Sequence, residues 1–322
     1  MRSRFWNAIL GGGLVLAAAG RGEVPAAEPV AGAPPPAASL AFTADGKGFR
    51  FDSGALRGTL HPDGRGIGLR PVVEKGSGKQ LAGAFGLLSP YRLLAAGERF
   101  GTAAWDWPSR ARLLANGAVE VSWTADAAHP LEMTAIYRLA SPAVLDFEAT
   151  VRPRRELRRF ELFLASYFEG FPSALASIRQ AAGAKPSWLV ASQTAGAWQM
   201  FPRDAAAVEL IRDARWKCPP NPVDWVIMPE LAFPLAVRQD GGSGVAAVLM
   251  APADDAFAVS MPYQEEGHRS LYLSLFGRDL GPGRTASARA RLIIGRAGTV
   301  LEADRLYREF VGEQTGPSTS RR

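Results

Sequence analysis

Residues 261–295 read MPYQEEGHRSLYLSLFGRDLGPGRTASARARLIIG, and the first third of this stretch concentrates groups that move protons. Tyr263, Gln264, Glu265, Glu266, His268 and Arg269 fall within one short span. An imidazole titrates near neutrality, and a carboxylate can exchange a proton with a substrate hydroxyl. His268 with Glu265 or Glu266 therefore has the composition of a general acid/base pair. Neighbouring side chains of an extended chain point to opposite faces, so only one of the two glutamates can join the histidine. Tyr263, Arg269 and nearby Asp279 are the binding residues such a site would have at hand. The same composition suits a solvated hairpin loop, with Asp279 capping a turn through its own backbone.

Aromatic residues supply a second kind of chemistry. The stretch GTAAWDWPSR over 101–110 sets Trp105 and Trp107 either side of Asp106. Alternate side chains of an extended segment share a face, so both indoles are expected on one side and Asp106 on the other. Trp188, Trp198, Trp216 and Trp225 fall in the proline-rich, poorly alternating region 170–230. Sugar rings present C–H faces that stack on indoles and phenols, while their hydroxyls need charged or amide partners. Aromatics with arginines and carboxylates are equipment for saccharide chemistry, and Arg92, Glu161 and Tyr167 are further candidates. Large β-sandwiches also use Trp as plain core, and that reading stands beside the first.

Other chemistries lack their residues. Three histidines (His61, His129, His268) and one cysteine, with no HxH, HExxH or CxxC spacing, make no zinc site, and no cofactor is expected; calcium, whose carboxylate and carbonyl ligands need no compact motif, stays open. No GxSxG, P-loop or strand-following GxGxxG pattern occurs. His61 and His129 each precede a proline in a turn and are expected at the surface. Cys218 can form no internal disulfide and reads as a small packed side chain. The formal charge of +6 comes from dispersed arginines rather than a basic stripe, so a nucleic-acid partner is not expected.

The elements that must position these groups are mostly strands. Over 322 residues, 34 Gly and 24 Pro are spread along the chain, which suits many short strands and turns. Runs at 119–123, 133–139, 145–151 and 160–168 alternate clearly, and turn residues separate them at intervals short enough for antiparallel neighbours. In 271–276 the leucines share one face, with Tyr272, Ser274 and Phe276 on the other. After a Gly/Pro turn at 277–283, Ala288, Ala290, Leu292 and Ile294 face inward, with Arg289 and Arg291 outward. Residues 300–311 carry Leu301, Leu306, Tyr307 and Phe310 at helical spacing, which predicts a short amphipathic C-terminal helix. The whole predicts an all-β chain, a large antiparallel β-sandwich over 45–312.

The N-terminus predicts export. Arg2 and Arg4 precede an apolar run ending at Ala17-Ala18-Ala19, short for a bilayer span, and small residues recur at 25–27. Residues 1–27 are expected to be a removed export signal, 28–44 a Pro/Ala-rich linker, and 313–322 a disordered tail. The processed chain is expected in the periplasm or outside the cell, off the membrane.

The passages MTAIYRLASPAVLDFEATVRPRRELRRFELFLASYF (133–168) and 271–295 resemble the galactose-mutarotase-like supersandwich class. The chain also resembles uncharacterised exported bacterial proteins. The resemblance implies a large β-sandwich common among carbohydrate-active proteins. Mutarotases of this fold use two histidines and a late glutamate around the sugar; here only Glu265 or Glu266 is a late glutamate near a histidine, and no second histidine matches. The expectation is an exported protein that binds or processes a saccharide, by proton transfer through His268 if it is an enzyme. The alternative is a non-catalytic module that recognises glycan or protein through a Trp-rich face.

Overall fold

The computed structural model describes residues 39–64, 67–182, 184–263, 269–296 and 298–313. The alternating runs become antiparallel strands. A first group comprises β1 (Thr43–Asp45), β2 (Gly48–Asp52), β3 (Leu56–His61), β4 (Gly68–Glu74) and β5 (Gln80–Ala82). Then come β6 (Ser89–Ala95), β7 (Glu98–Phe100), β8 (Ser109–Leu113), β9 (Val119–Trp123), β10 (Leu131–Ser141), β11 (Val144–Pro153) and β12 (Leu157–Phe168). The middle of the chain forms β13 (Ser173–Ile178), β14 (Ser187–Val190), β15 (Trp198–Pro202), a helix α1 (Ala205–Arg212) and β16 (Val226–Ile227). The last part holds β17 (Leu231–Asp240), β18 (Val245–Met250), β19 (Ala256–Pro262), β20 (Arg269–Leu280), β21 (Ala286–Arg296) and the C-terminal helix α2 (Thr299–Gly312).

Among the described residues these strands form three sheets. β1 to β5 pair in chain order; a second sheet runs β14-β13-β17-β18-β21-β11-β10-β9-β8, and a third runs β16-β15-β19-β20-β12-β6-β7. The second and third enclose the main core. Met133, Phe147, Leu249 and Leu292 from one meet Leu162, Val259, Leu271, Leu273 and Leu275 from the other in one buried cluster. Each such side chain contributes about 1.5–3 kcal/mol by leaving water. The inward set Ala288, Ala290, Leu292 and Ile294 is buried as the alternation of β21 requires. Phe42 is buried and β1 pairs with β2, so the first sheet begins inside the stretch read as linker.

Two differences from expectation have local causes. Phe276 lies in the main core with the leucines rather than beside Tyr272, because Phe276 and Gly277 adopt left-handed φ of 74° and 64°. That irregularity breaks the two-residue alternation. A Cβ at Gly277 would stand 2.5 Å from Cδ1 of Phe257, so only glycine fits there. Secondly, the region 170–230 contains α1, whose N-cap Asp204 accepts a hydrogen bond from the Ala207 amide at 2.8 Å.

The third sheet is buried on both faces along its centre. β12, β19 and β20 have nearly every residue buried, because α1 and the segment after it cover the outer face. An ion pair with no exposed side-chain surface fixes that cover: Arg215 Nη1 donates to Glu161 Oε2 at 2.9 Å. Arg215 also donates to both oxygens of Asp213, from Nε at 2.8 Å and from Nη2 at 2.7 Å, and to the Arg159 carbonyl at 2.7 Å. Arg159 sits at φ 52°, and its amide donates to Asp279 Oδ1 at 2.7 Å. Burial pushes the Glu161 carboxyl up from its ordinary 4.5 against the pull of Arg215.

Removing one partner of such a pair strands the other in a dry site, which costs about 3–5 kcal/mol. Arg215→Met is therefore expected to lower unfolding free energy by about that amount at neutral pH, measured by urea denaturation. A carboxyl with a raised folded pKa contributes stability that is full below its unfolded value and is lost as pH rises through the folded value. The loss in Arg215→Met should accordingly shrink as pH falls toward 4.5. A deficit independent of pH would contradict the assignment.

Candidate functional site

The outer face of the third sheet carries the described residues best equipped to hold a ligand. From β12 come Phe163 and Tyr167, from β20 Tyr272, from β15 Trp198, and from β6 Tyr91 and Arg92. Adjacent residues of a regular strand point apart, yet Tyr91 and Arg92 line the same cavity. The register explains this. Arg92 pairs with Phe163 and Pro90 with Leu164, which leaves Tyr91 as the extra residue of a bulge. The opposite wall is the segment after α1, with Trp216, Asn221, Pro222, Val223 and Trp225.

These walls enclose about 280 Å³. A neighbouring cavity of about 650 Å³ shares Trp216, Val223 and Trp225 and has Arg212 and Lys217 at its edge. The rings hold each other at defined angles: Phe163 stacks on Tyr272 at 4.6 Å, Trp216 meets Phe163 edge-on at 4.7 Å, and Trp225 stands perpendicular to Trp216 at 5.2 Å and to Trp198 at 5.6 Å. Tyr272 Oη receives a hydrogen bond from Ser270 at 2.7 Å. Such edge-to-face packing gives rigid apolar walls.

Arg92 is the cation in this wall and is 5% exposed. Its guanidinium carbon lies 5.0 Å from the Tyr91 ring centre and 5.3 Å from that of Trp216. Nη2 reaches Tyr91 Oη only at 3.5 Å, and Nε is buried without a hydrogen-bond partner. Among the described residues no carboxylate pairs with it. The indole Nε1 atoms of Trp216 and Trp225 are likewise buried and unpartnered. Next to Arg92, Arg99 donates to the carbonyls of Pro220 and Thr102. Burial first, and the neighbouring Arg92 charge second, push Arg99 down to about 10. Among the described residues these two neighbouring guanidinium groups have no carboxylate partner.

Several expected site residues lie elsewhere. Ala104–Asp106 is a 3-10 turn rather than an extended segment, so Trp105 and Trp107 do not share a face. Trp105 stacks behind Tyr91 at 4.5 Å, which makes it a support for the cavity wall. Trp107 is core: it is buried against His129 at 4.3 Å, and its Nε1 donates to the Thr124 carbonyl. Asp106 is exposed. His129 is buried rather than on the surface, its Nδ1 2.9 Å from Asp126 Oδ1. Asp279 holds the Arg159 amide across the sheet and not its own turn. Glu161 is the structural partner of Arg215.

Arg92 and Tyr167 do meet, and Trp198, Trp216 and Trp225 join them. Trp188 instead packs in the cluster beneath α2. Residues 264–268, with Glu265, Glu266 and His268, lie outside the described residues. Their flanks are well placed. The Tyr263 amide donates to the Ala197 carbonyl beside Trp198, and Arg269 pairs with Phe168 beside Tyr167. Arg238, fully buried, donates to the carbonyls of Pro262, Ser270 and Phe171 and so ties both flanks together.

The desolvation penalty for an unpaired guanidinium is several kcal/mol, against about 0.5–2 kcal/mol for each cation–π contact. Arg92→Met keeps the apolar stem and removes the charge, so its melting temperature is expected to equal or exceed that of the wild type. A drop of several degrees in a thermal scan would show that Arg92 serves the fold.

No protein-family model matches the chain, and no curated protein matches it by sequence. Solved structures do share its architecture. The Slr1438 protein from Synechocystis sp. PCC 6803 is 13% identical over 80% of this chain and 99% of that one, with a TM-score of 0.50. The α-N-acetylgalactosaminidase NagBb from Bifidobacterium bifidum, solved with GalNAc, is 12% identical over 83% of this chain and 39% of that one, with a TM-score of 0.51. A galactose mutarotase-like protein from Lactobacillus casei ATCC 334 is 10% identical over 80% of this chain and 100% of that one, with a TM-score of 0.48. At these identities the likeness is one of fold alone, the large antiparallel β-sandwich.

Proposed function

We propose that this protein binds a saccharide in the aromatic cavity on the outer face of its third sheet. The observation that carries this reading is the wall itself: Tyr91, Trp198, Trp216, Trp225 and Tyr272 around a cavity with one buried cation. Rigid indole and phenol rings offer faces for sugar C–H groups, and the phenol hydroxyls and the guanidinium offer hydrogen bonds to hydroxyls. The larger adjoining cavity gives room for a second sugar unit. A fold shared with a glycosidase solved with GalNAc is in keeping with this reading.

A second reading has the same site process its ligand, with His268 and one of Glu265 or Glu266 exchanging protons with a hydroxyl or an anomeric centre. Its support is the position of the flanks, since Ala197 and Phe168, which pair with them, adjoin cavity residues on both sides. Export completes the proposal, resting on Arg2, Arg4 and the apolar run that follows.

Titration of wild type against a panel of mono- and disaccharides, beside Trp225→Ala, tests the first reading. The variant is expected to bind about tenfold more weakly, in keeping with loss of an aromatic face worth about 0.5–1.5 kcal/mol plus its buried area. Equal affinity in both proteins would refute the location. For the second reading, His268→Ala should keep binding and lose about 10²–10⁴-fold in turnover, followed by reducing-sugar release and by anomer exchange in NMR. Unchanged turnover would remove His268 from the chemistry.

A further inference from the structure

The unpaired polar atoms buried in the cavity wall are all donors. Arg92 Nε, Trp216 Nε1 and Trp225 Nε1 have no hydrogen-bond partner, and Nε of the neighbouring Arg99 has none either. Arg92 itself carries a full charge, is 5% exposed, and has no carboxylate partner among the described residues. A neutral sugar hydroxyl both donates and accepts, and it would leave this positive corner unbalanced. An oxyanion has only acceptor sites, and a guanidinium presents donors in a planar fork that fits two of its oxygens.

We propose that the cavity takes an anionic saccharide, one whose carboxylate or sulfate group seats against Arg92. This rests on the saccharide reading above and narrows it to a ligand class. The charge would be screened from water by Trp216 and Tyr91, whose ring centres lie 5.3 Å and 5.0 Å from the guanidinium carbon. In so dry a setting an ionic hydrogen bond is far stronger than at the surface. The second cation, Arg99, is already held by the carbonyls of Pro220 and Thr102, so it adds field rather than a direct contact. Pro220 belongs to the same segment as Asn221 and Pro222 of the wall, which couples the position of Arg99 to the cavity's shape. The rim of the adjoining cavity also carries cations, Arg212 and Lys217. Lys217 is partly neutralised by Asp224, so the positive bias of that rim falls mainly to Arg212.

Matched ligands separate this proposal from the broader one. Calorimetric titration would compare glucuronate and galacturonate with glucose and galactose, and with the 6-sulfates of the same hexoses. The expected result is binding at least about tenfold tighter for one anionic series than for its neutral counterpart, weakening as salt is raised. The sulfate and carboxylate series together show which oxyanion the fork prefers. In Arg92→Met that advantage should disappear, so that each anionic sugar binds no tighter than its neutral counterpart. Arg92→Lys, which keeps the charge but loses the planar fork, should recover only part of it. Neutral and anionic sugars binding wild type equally well would overturn the anionic preference and leave the saccharide reading standing. An anionic advantage that survives in Arg92→Met would overturn the assignment to Arg92. Failure of every sugar, neutral or anionic, to bind would overturn both.

Discussion

The cavity exists because a guanidinium is buried behind it. Arg215 answers to Glu161 on the central strand β12, to both oxygens of Asp213, and to the carbonyl of Arg159 at a left-handed position. That network fixes the turn at 215–217 on the sheet, and with it Trp216, the ring that meets Phe163 on one side and Trp225 on the other. A wall made of a proline-rich segment has few backbone hydrogen bonds of its own. Its placement comes from this ion network and from ring packing. Charge buried to this extent is a poor source of net stability, since apolar residues of the same volume do as well, but it selects one arrangement strongly.

Two guanidinium groups on this face, Arg215 and Arg92, behave in opposite ways. Arg215 is fully buried and fully compensated, so it reads as architecture. Arg92, nearly as buried, has rings around it and no counter-charge among the described residues, so it reads as a group waiting for a partner. The contrast rests on partners rather than on burial, and it directs attention to ligands that bring negative charge with them. The bulge at Tyr91 is the backbone device that makes this possible, because it brings a phenol and a guanidinium from successive positions to one face.

Much of the fold was legible in the pattern of apolar residues. The runs at 133–139, 145–151 and 160–168 lie within β10, β11 and β12, and the helical spacing at 300–311 lies within α2. Alternation reports burial directly, so long strands with one apolar face announce themselves. What escaped was signalled weakly or not at all. The helix α1 spans only Ala205–Arg212, though Asp204 before three alanines was a usable cap signal. The 3-10 turn at Ala104–Asp106 reversed the expectation for Trp105 and Trp107, since period-two reasoning fails wherever the chain is not extended. His129 looked like a turn residue at the surface and is instead buried under Trp107.

The sequence by itself determined the class of fold, the positions of the long strands and the supply of aromatic and cationic side chains. Those are local properties: periodicity, composition and turn chemistry act over a few residues. Only the tertiary structure decided which of those side chains meet. Tyr91 and Arg92 of β6 meet Phe163, Trp198, Tyr272, Trp216 and Trp225 from three other strands and a long connection, and no spacing rule links these segments. Pairing register, one bulge and a buried ion network bring them together, and each depends on contacts between residues distant in the chain.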